Sequence, residues 1–177
     1  MQRNIAVLAD GKFLLAGAAN ISNWDFAIAK YNADGSLDTT FGTGGKVTLH
    51  ISGNDNINGI TIRNSGKILV CGEINATPNY DAAMALYNAN GILDTTFGTN
   101  GIVTVTFTEA NDSFNNAIEL SDGKILLAAG VGDPGANFAI TRYTTILNTK
   151  QSFLEIHLRT GSFWQEEKPV AIFPNPG

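Results

Sequence analysis

Carboxylates that recur at a fixed spacing are the residues of this chain most suited to chemistry. Asp38 and Asp94 hold the same place in two copies of the string LDTTFGT, which lie 56 residues apart. Carboxylate oxygens are ligands that Ca²⁺ prefers, and paired carboxylates catalyse glycoside hydrolysis. An Asp that opens a turn also accepts hydrogen bonds from backbone amides two residues further on. For Asp38 and Asp94 we favour this turn-forming role over calcium binding.

The remaining oxygen-rich segments also favour turns. Residues 32–38 read NADGSLD, but their spacing differs from that of an EF-hand loop and no Glu closes the segment. Asn54-Asp55-Asn56 and Asn111-Asp112 recur 57 residues apart and are expected to form Asx turns. A glycosidase needs two carboxylates that face each other, and the spacing does not show which carboxylates converge from different repeats.

Nucleophilic and metal chemistry have no sequence signature in this chain. His50 and His157 have no second His, Cys or carboxylate at ligand spacing, so we expect both on the solvent side of strands. The single cysteine, Cys71, lies in the apolar run KILVCG and is expected to be a buried hydrophobe. No Ser occupies a G-x-S-x-G elbow. The sequence predicts no catalytic residue, no metal site and no cofactor.

The elements that carry these residues are predicted to be short strands. Gly11, Gly66 and Gly123 each follow a polar residue and precede a Lys and an apolar run. A tight hairpin needs positive φ, which Gly adopts without steric cost, so each glycine predicts the turn of a hairpin. In the second copy the hairpin joins a strand at residues 59–62 to one at residues 67–71.

Two more strands complete each copy. In the first copy, residues 26–31 alternate large and small side chains, and Ala27 and Ala29 are expected to face a closely approaching neighbouring sheet. Residues 46–51 and 102–107 are rich in β-branched residues and predict the fourth strand of the first two copies. Asp38, Phe41 and Gly42, and likewise Asp94, Phe97 and Gly98, form the loop that leads into that strand.

Four strands in about 56 residues, without an amphipathic helix, predict an all-β protein built from four-stranded antiparallel propeller blades. A β-solenoid is the alternative architecture, but its coils repeat over shorter periods. The predicted copies cover residues 4–53, 54–110 and 111–150, and residues 151–177 form a tail. The third copy lacks LDTTFGT, and residues 153–158 alternate as its fourth strand would.

Three blades do not close a ring, because propellers have about four to eight. The sequence therefore predicts an open or partial propeller, either a fragment of a longer array or a chain that self-associates through its open blade faces.

The repeats resemble a known family. The string DFAIAKYNADGSLDTTFGTGGKV, from Asp25 to Val47, followed by the hairpin pattern, is similar to the delta-60 repeat of bacterial β-propellers. The resemblance covers residues 4–143. It implies a propeller in a large secreted or surface-attached protein, and it brings no catalytic residues with it.

The last nine residues, PVAIFPNPG, resemble the opening of the C-terminal sorting domain of the Bacteroidetes type IX secretion system. The alternative interpretation is simply a strand ended by prolines, but the position after a repeat array favours the sorting domain. From the two resemblances we expect an extracellular or cell-surface location for a full-length parent. The N-terminus lacks the pattern of a signal peptide.

The composition limits the classes of function that this chain can have. Hydrophobic residues make up 44% of the chain and charged residues only 15%, as in a globular protein, and no apolar run is long enough for a membrane span. The net charge of −5 argues against a nucleic-acid partner. We expect a non-catalytic structural or binding module whose partner is a surface protein or a glycan. The alternative is an extracellular hydrolase or lyase that acts on polysaccharide.

Overall fold

A computed structural model describes residues 4–21, 23–132, 137–146, 151–160, 163–166 and 170–174. In these ranges the chain forms β-strands joined by turns and loops. Within these ranges no helix is long and apolar enough to cross a membrane. The strands are β1 (Asn4–Val7), β2 (Phe13–Asn20), β3 (Trp24–Tyr31), β4 (Lys46–Leu49), β5 (Asp55–Ile62), β6 (Ile68–Asn75), β7 (Tyr80–Tyr87), β8 (Ile102–Val105), β9 (Asp112–Glu119), β10 (Ile125–Val131), β11 (Asn137–Ile146), β12 (Gln151–Thr160), β13 (Phe163–Glu166) and β14 (Val170–Pro174).

The strands form three sheets, one for each sequence repeat. The first sheet has the order β1-β2-β3-β4 and the second β5-β6-β7-β8, and every neighbouring pair in them is antiparallel. The third sheet begins in the same way with β9-β10-β11-β12. This arrangement confirms the predicted all-β fold of antiparallel propeller-type sheets in an open stack.

The third sheet is larger than the other two. β12 pairs with β11 along its whole length, so the alternating segment at 153–158 supplies the fourth strand. β13 then pairs with residues 157–160 and β14 with residues 151–154, both along the free edge of β12. The sequence predicted a C-terminal strand before the last prolines, where β14 lies, but it did not predict β13 or the pairing of either strand with β12. The proposed boundary at residue 150 lies between two strands of one sheet.

Two strands start earlier than the sequence patterns indicated. β5 begins at Asp55 rather than Gly59, because a bulge between Ile57 and Gly59 interrupts the apolar alternation without ending the pairing with β6. β9 has a matching bulge, opposite Ala128 and Ala129 of β10. The Asn-Asp segments expected to form turns therefore lie at the starts of strands.

The sheets stack through apolar faces. We call the face that points to the previous sheet the leading face and the face that points to the next sheet the trailing face. The core cluster between the first two sheets consists of Leu14, Ala16, Phe26, Ile28, Phe41, Ile57, Ile68, Val70, Ile74, Ala83, Ala85 and Tyr87. The cluster between the second and third sheets consists of Leu69, Cys71, Ala82, Met84, Leu86, Phe97, Val103, Val105, Phe114, Ala117, Ile125, Leu127, Ala129, Val131, Ala139 and Tyr143.

The repeat register shows which residues form the leading face of the first sheet. Leu15 pairs with Ala29 across β2 and β3, as Val70 pairs with Ala85 across β6 and β7. Ala83 and Ala85 are fully buried against the first sheet, as small residues at a close sheet contact should be. Their counterparts Ala27 and Ala29 are only half-buried, and no described strand of another sheet covers them. The prediction that these two alanines face a neighbouring sheet was therefore wrong for this chain.

Candidate functional site

The LDTTFGT loop of the first repeat is built around Asp38. The amide of Thr40 donates to Asp38 Oδ1 at 3.2 Å, and the Thr40 hydroxyl donates to the same oxygen at 2.6 Å. Lys12 Nζ donates to Asp38 Oδ2 at 2.9 Å. The hydrogen bond from the Thr40 side chain and the Lys12 ammonium hold the pKa of Asp38 well below its usual value. Asp38 is buried and ionised, and its hydrogen bonds join the loop to the first hairpin.

The second repeat has the same arrangement. Thr96 donates its amide and its hydroxyl to Asp94 Oδ1, and Lys67 Nζ lies 2.5 Å from Asp94 Oδ2. Burial by itself raises the pKa of Asp94, but the hydrogen bonds from Lys67 and Thr96 together outweigh it, and the pKa lies below the usual value. Asp38 and Asp94 therefore both bind groups of their own repeat.

The other signature residues of the loop shape its backbone. Phe41 and Phe97 are buried in the two core clusters, where the Phe97 ring lies 5.1 Å from that of Tyr143. Gly42 has a φ of +53°, and a Cβ there would lie 2.3 Å from the carbonyl oxygen of Lys46. Gly98 has the same φ, and its Cβ would lie 2.2 Å from the carbonyl oxygen of Ile102. Only glycine fits where the loop crosses the start of the fourth strand.

The three hairpin glycines have a different role from the loop glycines. Gly11, Gly66 and Gly123 have φ values of +82°, +78° and +80°. Their amides donate to the carbonyls of residues 8, 63 and 120, which closes each turn. They set the position of the following lysine. Lys12 and Lys67 reach their loop aspartates from these turns, whereas Lys124 pairs with Asp122 of its own turn.

One cluster at the junction of the first and second repeats does have the residue types of a metal site. His50 Nδ1 lies 2.7 Å from Asp25 Oδ1, and one ligand atom from each of Asp25, His50 and Asp55 lies within 4.8 Å of the other two. The expectation that His50 has no carboxylate at ligand spacing was therefore wrong. Asp25 lies on β3, 25 residues before His50, which directly follows β4, and the pairing of β3 with β4 brings them together.

The hydrogen bonds of Asp55 limit what this cluster can do. Asp55 is fully buried and accepts the amide of Ile51 at 2.7 Å and the amide of Ser52 at 3.1 Å, so it closes the connection that precedes β5. The donors precede Asp55, which differs from the Asx turn expected at this position. Burial raises the pKa of Asp55 despite these amides and the nearby His50.

The connection between the second and third repeats has the same turn but no histidine. Asp112 accepts the amides of Phe107 and Thr108 at 2.7 and 2.8 Å, as Asp55 accepts those of Ile51 and Ser52. Thr106 stands where the first repeat has His50. The buried Asp is thus a recurrent backbone device, and His50 is an addition in one repeat, with its side chain 53% exposed. These residues can offer ligand atoms to a cation, but Asp55 already uses both of its oxygens.

Comparison with known proteins identifies the repeat. Residues 8–41 and 63–97 match the family model described as "Domain of unknown function (DUF5122) beta-propeller". The two matches begin beside the hairpin turns and end in the LDTTFGT loops. The first two repeats are therefore similar to β-propeller repeats, in agreement with their four-stranded antiparallel sheets. A search of curated proteins finds no match to the chain. Neither matched segment includes the C-terminal tail, so the likeness to a sorting domain stays a prediction.

The leading face of the first repeat is an open apolar surface. It carries a groove of about 270 Å³, lined by residues 15–19, 27–29 and 46–48. Ile5 and Val7 of β1 lie on the same face and are 61% and 69% exposed. The sequence predicted open blade faces but placed Ala27 and Ala29 in a covered contact, because the alternation of large and small residues looks the same whether or not a neighbouring sheet is present.

The thiol is placed where it has little reactivity. Cys71 is fully buried in the second core cluster, and burial raises the pKa of its thiol to about 12. A thiol with this pKa is neutral at physiological pH and is a poor nucleophile. His157 belongs to β12, and its side chain lies outside the described part of the structure.

Proposed function

We propose that this chain is a non-catalytic structural and binding module, made of propeller repeats, in a secreted or surface-associated bacterial protein. The observation that carries the proposal is the open leading face of the first sheet. It has the residues that the second sheet buries against its neighbour, yet its own groove is open to solvent. Contiguous apolar surface of this kind is a property of binding surfaces.

The recurrent carboxylates support a module without catalysis. Asp38 and Asp94 are each bound by a Thr and a Lys of their own repeat, which lowers the pKa of both carboxyls. A general acid at neutral pH needs a raised pKa instead. The signature loop therefore stabilises each blade.

The location at a bacterial surface rests on two resemblances, those of the repeats and of the C-terminal nine residues. It is tested by fractionating the source cells and probing the fractions with an antibody against the chain. Recovery in the medium or the surface fraction is expected. Exclusive recovery from the cytoplasm would contradict this part of the proposal.

A polysaccharide hydrolase or lyase is the second candidate, and the Asp25–His50–Asp55 cluster is the observation that favours it. Two carboxylates and an imidazole within 4.8 Å have the composition of an acid–base site. Asp25 is only 5% exposed and Asp55 is fully buried, so neither carboxylate is accessible to a sugar ring. For this reason we favour the module.

The two candidates are separated by assaying the purified chain against a panel of glycosides, polysaccharides and lactones. The module predicts no turnover by the wild type. Turnover that Asp25→Asn abolishes and that Asp10→Asn preserves would establish an enzyme. Asp10 is the matched control because it is an exposed carboxylate in the first hairpin turn.

A further inference from the structure

We propose that the leading face of the first sheet binds the trailing face of the third sheet of a second copy, so that two copies close a ring of six sheets. This inference rests on the proposed binding function and names the partner.

The trailing face of the third sheet has the same residue types as that of the first sheet at four positions in its two central strands. The first sheet packs on the second through Leu14, Ala16, Phe26 and Ile28. The equivalent positions of the third sheet hold Leu126, Ala128, Phe138 and Ile140. The cross-strand register is also the same, because Ala16 pairs with Ile28 and Ala128 pairs with Ile140. The third sheet therefore has the apolar residues that already bind a leading face within this chain.

These residues are accessible in a single copy. Ala128 is exposed, Leu126 and Ile140 are half-buried, and Ile118 on the neighbouring strand β9 is 51% exposed. Within the chain, the four counterparts in the first sheet are all buried. The four residues of the first sheet are less exposed because the second sheet covers them.

The leading face of the first sheet repeats that of the second sheet almost as closely. Ala27 and Ala29 are equivalent in the repeat to Ala83 and Ala85, and Tyr31 is equivalent to Tyr87. The flanking aliphatic residues are equivalent in kind: Ile5, Val7 and Leu15 for Ile60, Ile62 and Val70. The second-sheet residues are buried or partly buried against the first sheet, whereas Ile5, Val7 and Leu15 are exposed.

One position differs in charge. Lys46 begins β4 where the second sheet has Ile102. A lysine at the rim of an apolar contact can lay its methylene chain on the surface and keep its ammonium in water. At the other strand positions compared above, the residues of the two contacts are the same or equivalent in kind.

Ring geometry selects the number of copies. A contact between a trailing face and a leading face is heterologous, and repeating it gives either a closed ring or an open filament. Each copy contributes three sheets, and closed propellers have about four to eight. Two copies are the only number that meets this range. Every sheet in such a ring has both of its faces covered.

The test is the molar mass of the purified chain in solution, measured by light scattering over a range of concentrations. The wild type is expected at twice the mass of one chain. Ala29→Glu and Ala128→Glu each place a carboxylate in the contact and are expected to halve that mass. Ser65→Glu adds the same charge at an exposed hairpin turn and is expected to keep the doubled mass.

Mixing the variants separates lost docking from misfolding. Ala29→Glu keeps an intact trailing face and Ala128→Glu keeps an intact leading face, so a mixture is expected to recover pairs that neither variant forms alone. A wild type with the mass of one chain at all concentrations would overturn the proposal. So would a mass that grows beyond two copies, or a doubled mass that Ala29→Glu leaves unchanged.

The outcome is independent of the test of the proposed function. A monomeric wild type without enzymatic activity would refute the second copy as the occupant and leave the module proposal standing. Turnover abolished by Asp25→Asn would refute the module whatever the mass.

Discussion

Lys12 Nζ donates to Asp38 Oδ2 at 2.9 Å and thereby joins the hairpin turn of the first repeat to a loop 26 residues further along the chain. Lys67 and Asp94 form the same pair in the second repeat, at 2.5 Å. Because the pair recurs with the fold, we conclude that the signature Asp acts as a structural clamp between the two halves of a blade.

The clamp predicts a stability defect from loss of the Asp94 side chain. Asp94→Ala leaves the Thr96 hydroxyl and the Lys67 ammonium without their acceptor, and we expect it to lower the free energy of unfolding by about 1–3 kcal/mol. Urea unfolding followed by circular dichroism measures the loss. Asp122→Asn is the control, since Asp122 is exposed and pairs only within its own turn, and no change is expected there. Equal stability of Asp94→Ala and wild type would contradict the clamp.

The depressed pKa of Asp38 predicts a dependence of stability on pH. A carboxyl whose folded pKa lies below its unfolded value of 3.8 stabilises the fold above that value, and the contribution is lost as pH falls through the folded pKa. We expect the difference in unfolding free energy between wild type and Asp38→Asn to be constant above about pH 5 and to shrink below about pH 4. A difference that grows on acidification would show that Asp38 is not the stabilising ion.

Replacing a loop glycine by alanine is expected to lower the free energy of unfolding more than replacing a hairpin glycine. Gly66→Ala strains a residue at φ +78° but meets nothing within 4 Å, and we expect a cost of about 1 kcal/mol. Gly98→Ala adds a clash with the backbone oxygen of Ile102, so we expect more than about 2 kcal/mol. Thermal or urea unfolding of the two variants gives the comparison. A smaller loss for Gly98→Ala than for Gly66→Ala would be inconsistent with the described loop.

The buried thiol predicts protection from modification. Cys71 is the only cysteine, and its pKa of about 12 leaves almost no thiolate at pH 8. We expect a thiol reagent to label the native chain at the rate of unfolding and the urea-unfolded chain at once. Native labelling as fast as that of a free thiol would place Cys71 outside the core.

Local pattern predicted the elements of this fold, because hairpin glycines and β-branched runs act within a few residues. The loop aspartates and the fourth strand of the third sheet were also readable in this way. The proximity of Asp25 to His50 was not, because it depends on strand pairing between residues 25 apart.

The sequence predicted open blade faces but did not show that Ala27 and Ala29 belong to one, for a different reason. A repeat unit has the same alternation at the end of a stack as in the middle, so the sequence encodes the face and not its occupant. The bulge at Ile57–Gly59 likewise left the pairing intact while it broke the alternation from which strand limits are read.

A crystal structure of the purified chain in its solution assembly tests the central claim most directly. The account predicts six sheets around one axis, with Ala27 and Ala29 of each copy packed against Ala128 and Ile140 of the other. Both faces open to solvent, or a two-fold contact that joins two leading faces, would contradict it.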